Sequence, residues 1–343
     1  MSKVFDTEKE ARAWEKQQKA KVTLGQHVDP AAEKMTVAAW CETWLESYSG
    51  NRERTVRQAK IHIALINEEF ARKPIRSIEP IHVQTWTAKL KAQGYEDSTV
   101  YAVYRRLAQI LDSAVQNDVL DKNPCSRQIA PRAGRQKVYV ATRAQVDSVY
   151  AAFPEHLRPA ILLGAFAGLR TAEAVGLRKE HVDFLRLYIN PVEQLHRRSD
   201  GAEELKSETS GTSIPIPEGL ALDLSAAIAR LGGDYVVTDG LGGPASTWAI
   251  DRAMRRVRKI VPGLPKTFVF HDLRHFFASS LIEAGFDVKR VQALLRHASA
   301  KTTLDTYGHL FPNQDDAVRV KLGTMYASQP EAAGLVTLQR GTG

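Results

Sequence analysis

Residues 270–308 read FHDLRHFFASSLIEAGFDVKRVQALLRHASAKTTLDTYG. Apolar residues recur every three or four positions, which predicts a helix over 273–284 stopped by Gly285 and a second over 288–296. His271, Arg274 and His275 stand three or four positions apart and so share one helix face. An arginine in a helix's first turn opposes the partial positive charge already there. The opposition becomes cooperation where the site holds an anion, since helix N–H groups and a guanidinium both donate to it. The weaker alternative for this segment taken alone is Arg274 as a surface residue and His271 as a cap. The pair His271 and His275 also has the i, i+4 spacing of two zinc ligands. Against a metal stand Asp272 in place of the usual Glu, the fixed cation of Arg274, and the lack of a third ligand at a matching spacing. The stretch closes with His297 at the end of the second helix and Tyr307 ten positions on, beside Gly308.

Moving outward, Gly168-Leu169-Arg170-Thr171-Ala172-Glu173 overlaps the end of the longest apolar run, the ten residues 160–169. An arginine that ends a buried run must reach the surface or be held at a site facing an anion. Helices are expected over 143–152, 156–167, 220–231 and 247–260, around a β-rich insertion with short strands at 187–189, 204–206 and 213–216. Lys206 lies on the hairpin-like part of that insertion, where by itself it reads as a solvated strand residue. Nearer the start, Val37, Trp40, Cys41, Trp44 and Tyr48 form an apolar stripe after Thr36. Val56, Ile61, Leu65 and Ile66 begin a second helix, and Ile81, Val83, Trp86 and Leu90 a third ended by Gly94. Ser98 is read as the cap of a fourth that runs through Leu107, Ile110, Leu111 and Val115. The fold class expected is mainly α with a small β-sheet (α+β). The domains are a helical segment at 1–34, an all-α domain at 35–126, a basic linker at 127–142, a second domain at 143–328 and a flexible tail at 329–343.

Composition narrows the function. The chain has 343 residues, 43% hydrophobic and 25% charged, the mix of a globular protein with a proper core. A ten-residue apolar run is half of what a membrane-spanning helix needs, about 20 residues. The charged opening residues do not read as a secretory signal. Two cysteines, Cys41 and Cys125, are too few for a disulfide framework and fit a reducing cytoplasm. The net charge is +8, and it is concentrated: residues 251–301 hold eleven basic residues against four acidic ones, and residues 122–146 hold six basic residues and no acid. Two such segments point to a polyanion, nucleic acid above all. Within the first, Arg252, Arg255, Arg256 and Lys259 recur at helical spacing as a phosphate-facing stripe or a solvated face.

Arginine, lysine, His-x-x-Arg, histidine and tyrosine in that order are the ingredients of metal-free phosphoryl transfer through a covalent intermediate. On Arg170, Lys206, His271, Arg274, His297 and Tyr307 the sequence resembles a tyrosine recombinase of the phage-integrase family, over about residues 36–312. The resemblance implies a helical core-binding domain of SAM-like type followed by the catalytic domain, with 1–34 the remnant of an arm-binding domain. It implies that Tyr307 attacks the scissile phosphate to leave a 3′-phosphotyrosyl bond and a free 5′-hydroxyl. Arg170 and Arg274 would grip the non-bridging oxygens, where charge builds in the transition state, and Lys206 would protonate the 5′-oxygen. His271 would assist proton transfer at the tyrosine, His297 would hydrogen-bond the phosphoryl group, and Glu173 would sit behind the site and orient the basic groups. Because tyrosine's ordinary pKa is about 10, a dense cationic surround is expected to favour the phenolate. No cofactor and no metal is expected. The partners implied are double-stranded DNA attachment sites, a homotetramer on DNA, and an accessory DNA-bending or directionality factor, with action in the cytoplasm of a bacterial host. The implied function is site-specific integration or excision of a phage or mobile element. A Xer-like resolvase or a type IB-like topoisomerase would use the same chemistry. Two departures stand out: Arg296 occupies a position often glycine in the family, and Gly211-Thr212-Ser213 replace basic residues often found after the hairpin lysine.

Overall fold

The computed structural model describes residues 7–9, 12, 34–134, 138–195, 203–204, 212–311 and 315–327. The readings of 1–34 as a helical start, of Lys206 and of the tail at 329–343 fall wholly or almost wholly outside them. The chain divides into two compact units, Met1–Gln136 and Lys137–Gly343.

Among the described residues from 34 onward, the first unit packs the α-helices α1 (Val37–Tyr48), α2 (Glu53–Phe70), α3 (Pro80–Ala92) and α4 (Asp97–Gln116). Thr36 caps α1, its hydroxyl accepting from the Ala39 N–H at 3.2 Å. The stripe read from the sequence faces inward, with Val37, Trp40, Cys41 and Trp44 buried. The Trp40 indole N–H donates to the Ile110 carbonyl at 3.0 Å, tying α1 to α4 where water cannot compete. Phe70 of α2 meets Trp86 of α3 edge to face at 5.3 Å. Ile61 and Ile81 lie on the helices expected but are exposed, and α2 buries His62, Ile63 and Ile66. One detail differs from expectation. Ser98 lies inside the first turn of α4, which follows Glu96 and carries no side-chain cap.

The second unit is built on α5 (Arg143–Ala152), α6 (Arg158–Phe166), the short α7 (Thr171–Gly176), α8 (Glu218–Leu231), α9 (Thr247–Ile260), α10 (His271–Glu283), α11 (Val288–Leu295), α12 (Ala300–Tyr307) and α13 (Asp315–Ala327). Between α7 and α8 run β1 (Val182–Asp183), β2 (Tyr188–Ile189), β3 (Glu193–Gln194), β4 (Glu203–Glu204) and β5 (Ile214–Pro215). β1, β2 and β5 form one antiparallel sheet in that order, with Ile189 opposite Val182 and Ile214. β3 pairs with β4 in a separate antiparallel ribbon, Glu193 opposite Glu204. The Leu195 N–H donates to the Ala172 carbonyl at 2.9 Å, which hangs that ribbon on α7.

The apolar run of 160–169 becomes α6 and its exit, buried along most of its length because α10 packs against it. The two helices approach closely at Gly164, where a β-carbon would lie 2.9 Å from the Phe270 ring. α6 ends at Gly168 in the left-handed region, φ +63°, with the Phe277 ring 2.4 Å from where a β-carbon would sit. Arg170 is therefore delivered at a fixed point beside α10. Among the described residues no helix is long and apolar enough to cross a membrane.

Candidate active site

Four chain segments of the second unit converge around the turn from Gly168 to Arg170. Arg170 flanks the N-terminus of α7, and Glu173 lies one turn in, 3% exposed. The Glu173 carboxylate accepts from the Arg170 guanidinium at 2.7 Å and from the Arg170 backbone N–H at 2.9 Å. Burial alone would raise this carboxyl, but the guanidiniums of Arg296 and Arg170 outweigh it and hold the pKa below the ordinary carboxylate range. Arg170 keeps its outer part in solvent, so the glutamate aims one face of the guanidinium and leaves the rest for a ligand.

Arg274 comes from the first turn of α10 and is fully buried. It donates to the carbonyls of Gly168 and Leu295, stitching the α6 exit to the end of α11, while its Nε has no partner among the described residues. Desolvation, then the nearby Arg170 and Arg296, lower its pKa to about 9, which still leaves it charged at neutral pH. A desolvated guanidinium with an unspent donor is a strong anion ligand.

Arg296 is the residue whose role sequence reasoning missed, although its substitution for glycine was visible. It ends α11 in the left-handed conformation, φ 53° and ψ 45°. Its buried side chain pairs with Glu173 across 123 positions of sequence. Glu173 is thus shared by two guanidiniums, and the group of half-exposed Arg170 with buried Arg274, Arg296 and Glu173 retains a net positive charge.

α10 presents His271 and His275, the rings edge to face at 4.8 Å. His297 follows Arg296 and its Nδ1 lies 2.9 Å from the Thr303 hydroxyl of α12. Desolvation first, then neighbouring cations and imidazoles, pushes His275 and His297 down to about 4. His271, with more of its surface in solvent, is lowered by desolvation and then by Arg274 and Arg170. The imidazoles are therefore neutral at pH 7.

Tyr307 is the last residue of α12, 1% exposed and packed against Ala278, Ile282, Val291 and Leu295. Its hydroxyl lies 2.6 Å from His275 Nδ1. This differs from expectation in two ways. The imidazole in contact with the phenol is His275, not His271. Burial also outweighs the attraction of Arg274 and drives the phenol's pKa up to about 12, so the resting site holds a neutral tyrosine rather than a phenolate. Spacing had placed His275 on the right helix face but could not rank it against His271.

Arg170, Glu173, His271, Arg274, His297 and Tyr307 thus belong to one electrostatic cluster, while Lys206 lies outside the described residues. Arg252, Arg255, Arg256 and Lys259 are exposed on α9, opposite the buried Ile250, Ala253, Met254 and Val257. Arg252 lies over the Trp248 ring at 4.7 Å. Among the described residues no group of three or more His, Cys, Asp or Glu could hold a metal ion. What the cluster can do is bind a phosphodiester anion and offer it an oxygen nucleophile.

Comparison with known proteins agrees with this chemistry. The phage integrase family matches residues 140–314, the span that contains the whole cluster. A tyrosine recombinase XerC-like protein of Caldanaerobacter subterraneus subsp. tengcongensis is 26% identical over 347 aligned positions, covering 90% of this chain and 87% of its own. The fold is similar to that of the Tn1549 transposon integrase, solved with a circular intermediate DNA: TM-score 0.75, 21% identity, 85% of this chain and 99% of that one. It is also similar to lambda integrase, solved as a tetramer on a Holliday junction: TM-score 0.62, 20% identity, 87% of this chain and 90% of that one. The chain belongs to the phage integrase family of tyrosine recombinases, enzymes that break and rejoin DNA strands.

Proposed function

We propose that this chain integrates or excises a phage or mobile element by cutting each strand with Tyr307 and holding the 3′ end as a phosphotyrosyl ester. The observation that carries the reading is the buried phenol of Tyr307 beside the Arg274 guanidinium, with a hydrogen-bonding base on its oxygen. In this reading the exposed part of Arg170 and the unspent donor of Arg274 take the non-bridging oxygens and neutralise the charge of the five-coordinate transition state. Glu173 and Arg296 set the orientation of Arg170. His297, held by Thr303, donates to the phosphoryl group, and His271 lies at the open side where DNA would enter. Lys206 protonates the departing 5′-oxygen. The ester conserves the free energy of the cut bond, so rejoining to a new partner strand needs no nucleotide.

The same reading takes residues 35–126 as the core-binding domain, 143–328 as the catalytic domain and 127–142 as the basic linker between them. It includes a homotetramer on two DNA attachment sites, by analogy with lambda integrase. An accessory DNA-bending or directionality factor and the cytoplasm of a bacterial host complete it. The test is a nicked suicide duplex made from the DNA flanking the gene, incubated in excess EDTA. A covalent adduct with a free 5′-hydroxyl on the released strand is expected, and recombinant joints should form from two such sites. Cleavage abolished by EDTA and restored by zinc would overturn the mechanism.

A further inference from the structure

We propose that His275 is the catalytic base that takes the Tyr307 proton when the strand is cut and returns it when the strand is rejoined. The inference rests on Tyr307 being the nucleophile. Before a phenol can attack phosphorus its proton must leave, and a group that receives it must lie within hydrogen-bond distance. His275 Nδ1, at 2.6 Å, is the one hydrogen-bond partner of that oxygen among the described residues. The contact is built in. His275 projects from the same helix as Arg274, one residue on, so the base and the anion-binding guanidinium are fixed to one another by the backbone. Tyr307 is fixed in turn by the core formed between α10, α11 and α12.

The groups that face His275 are His271 and Arg274 on α10 and Tyr307 on α12, and Asp272 of α10 acts on the Tyr307 phenol. In the resting protein burial first, then His271 and Arg274, make it a weak base opposite a weak acid, so the proton stays on the phenol. A phosphodiester at Arg274 offsets the share of the depression that comes from that guanidinium, a smaller cause than burial, and so favours proton transfer to the imidazole in the DNA complex. The bookkeeping of the step closes. The Oη–H bond breaks and its proton bonds to Nδ1. Oη bonds to phosphorus, the P–O5′ bond breaks, and the 5′-oxygen takes a proton from the general acid, Lys206 in the reading above. Rejoining reverses each transfer, and the enzyme ends with the protons it began with.

The experiment compares wild-type protein with His275→Asn, which keeps a hydrogen-bonding atom near the Nδ1 position but cannot accept the proton. His275→Ala is the second variant. Each is assayed on the nicked suicide duplex and on the same duplex with sulfur replacing the bridging 5′-oxygen, whose departure needs no general acid. Thermal melts and DNA-binding measurements run alongside. His275→Asn is expected to bind DNA normally and to cut about 10²–10⁴-fold more slowly, the usual worth of general base catalysis. The sulfur substrate should not restore it, and added imidazole should partly restore His275→Ala with a rate that rises as imidazole loses its proton. Cleavage by His275→Asn within threefold of wild type would overturn the proposal. So would rescue by the sulfur substrate, which would place His275 on the leaving-group side. Faster adduct formation by His275→Ala would make the contact a lock instead. Peptide mapping of the wild-type adduct separates the two claims: an adduct on a residue other than Tyr307 removes the nucleophile assignment itself.

Discussion

Arg296 sits where two opposing terms can be separated by substitution. Its backbone is left-handed, φ 53° and ψ 45°, and a β-carbon there costs about 1 kcal/mol relative to glycine. Its side chain is buried against a carboxylate that is 3% exposed. Removing one partner of a buried ion pair typically costs about 3–5 kcal/mol. Here the loss belongs at about 3 kcal/mol, because Arg170 still holds the other oxygen of Glu173. Arg296→Ala loses the pair and keeps the backbone strain, so it should be about 3 kcal/mol less stable than wild type. Arg296→Gly loses the pair and relieves the strain, so its deficit should be about 2 kcal/mol. Urea unfolding of the full chain at pH 7.5, followed by circular dichroism, reads both. Two results would refute the reasoning. Arg296→Gly as stable as wild type would mean that the pair contributes only about the 1 kcal/mol that the left-handed turn costs, far below the value argued for it. Equal stability of the alanine and glycine variants would mean that the left-handed turn carries no penalty.

Acid should destabilise the second unit before most carboxylates titrate. His275 and His297 are lowered to about 4 from an ordinary value near 6.5, so between those values the unfolded chain binds protons that the native chain does not. Stability is full above pH 6.5 and falls as pH drops toward 4, on the order of 1 kcal/mol per imidazole by pH 5 once solvent screening is allowed for. Melting temperatures from pH 7.5 to 5 check this; a flat profile would contradict it. On α9, Arg255→Ala with Arg256→Ala should lower the slope of log affinity against log salt by on the order of one to two units, with no change in melting temperature. An unchanged slope would leave that face merely solvated.

The helices were legible wherever one apolar stripe decides the packing. Thr36 before Val37, Trp40 and Trp44 reads directly as cap and core face, and the α9 pattern places its ends where the structure has them. Ile61 and Ile81 mark their helices correctly although they are exposed, since an apolar residue can stand beside a stripe and still face water. Ser98 was misread as a cap because a serine two positions into a helix looks the same in sequence as one before it. Within the site, short-range spacing brought His271, Arg274 and His275 to one face. It could not find the pairing of Arg296 with Glu173, which depends on the folded core rather than on helical spacing. Nor could it show that Tyr307 is desolvated, since burial of a phenol is a property of three helices packed together and not of the segment that carries it.

The most direct test of the account is the fate of DNA on Tyr307→Phe. The ring that fills the core is kept and only the hydroxyl held by His275 is removed. The variant should fold, bind the attachment-site duplex as tightly as wild type, and form no covalent protein–DNA adduct on the nicked substrate. An adduct formed by Tyr307→Phe at the wild-type rate would contradict the claim that this phenol is the nucleophile.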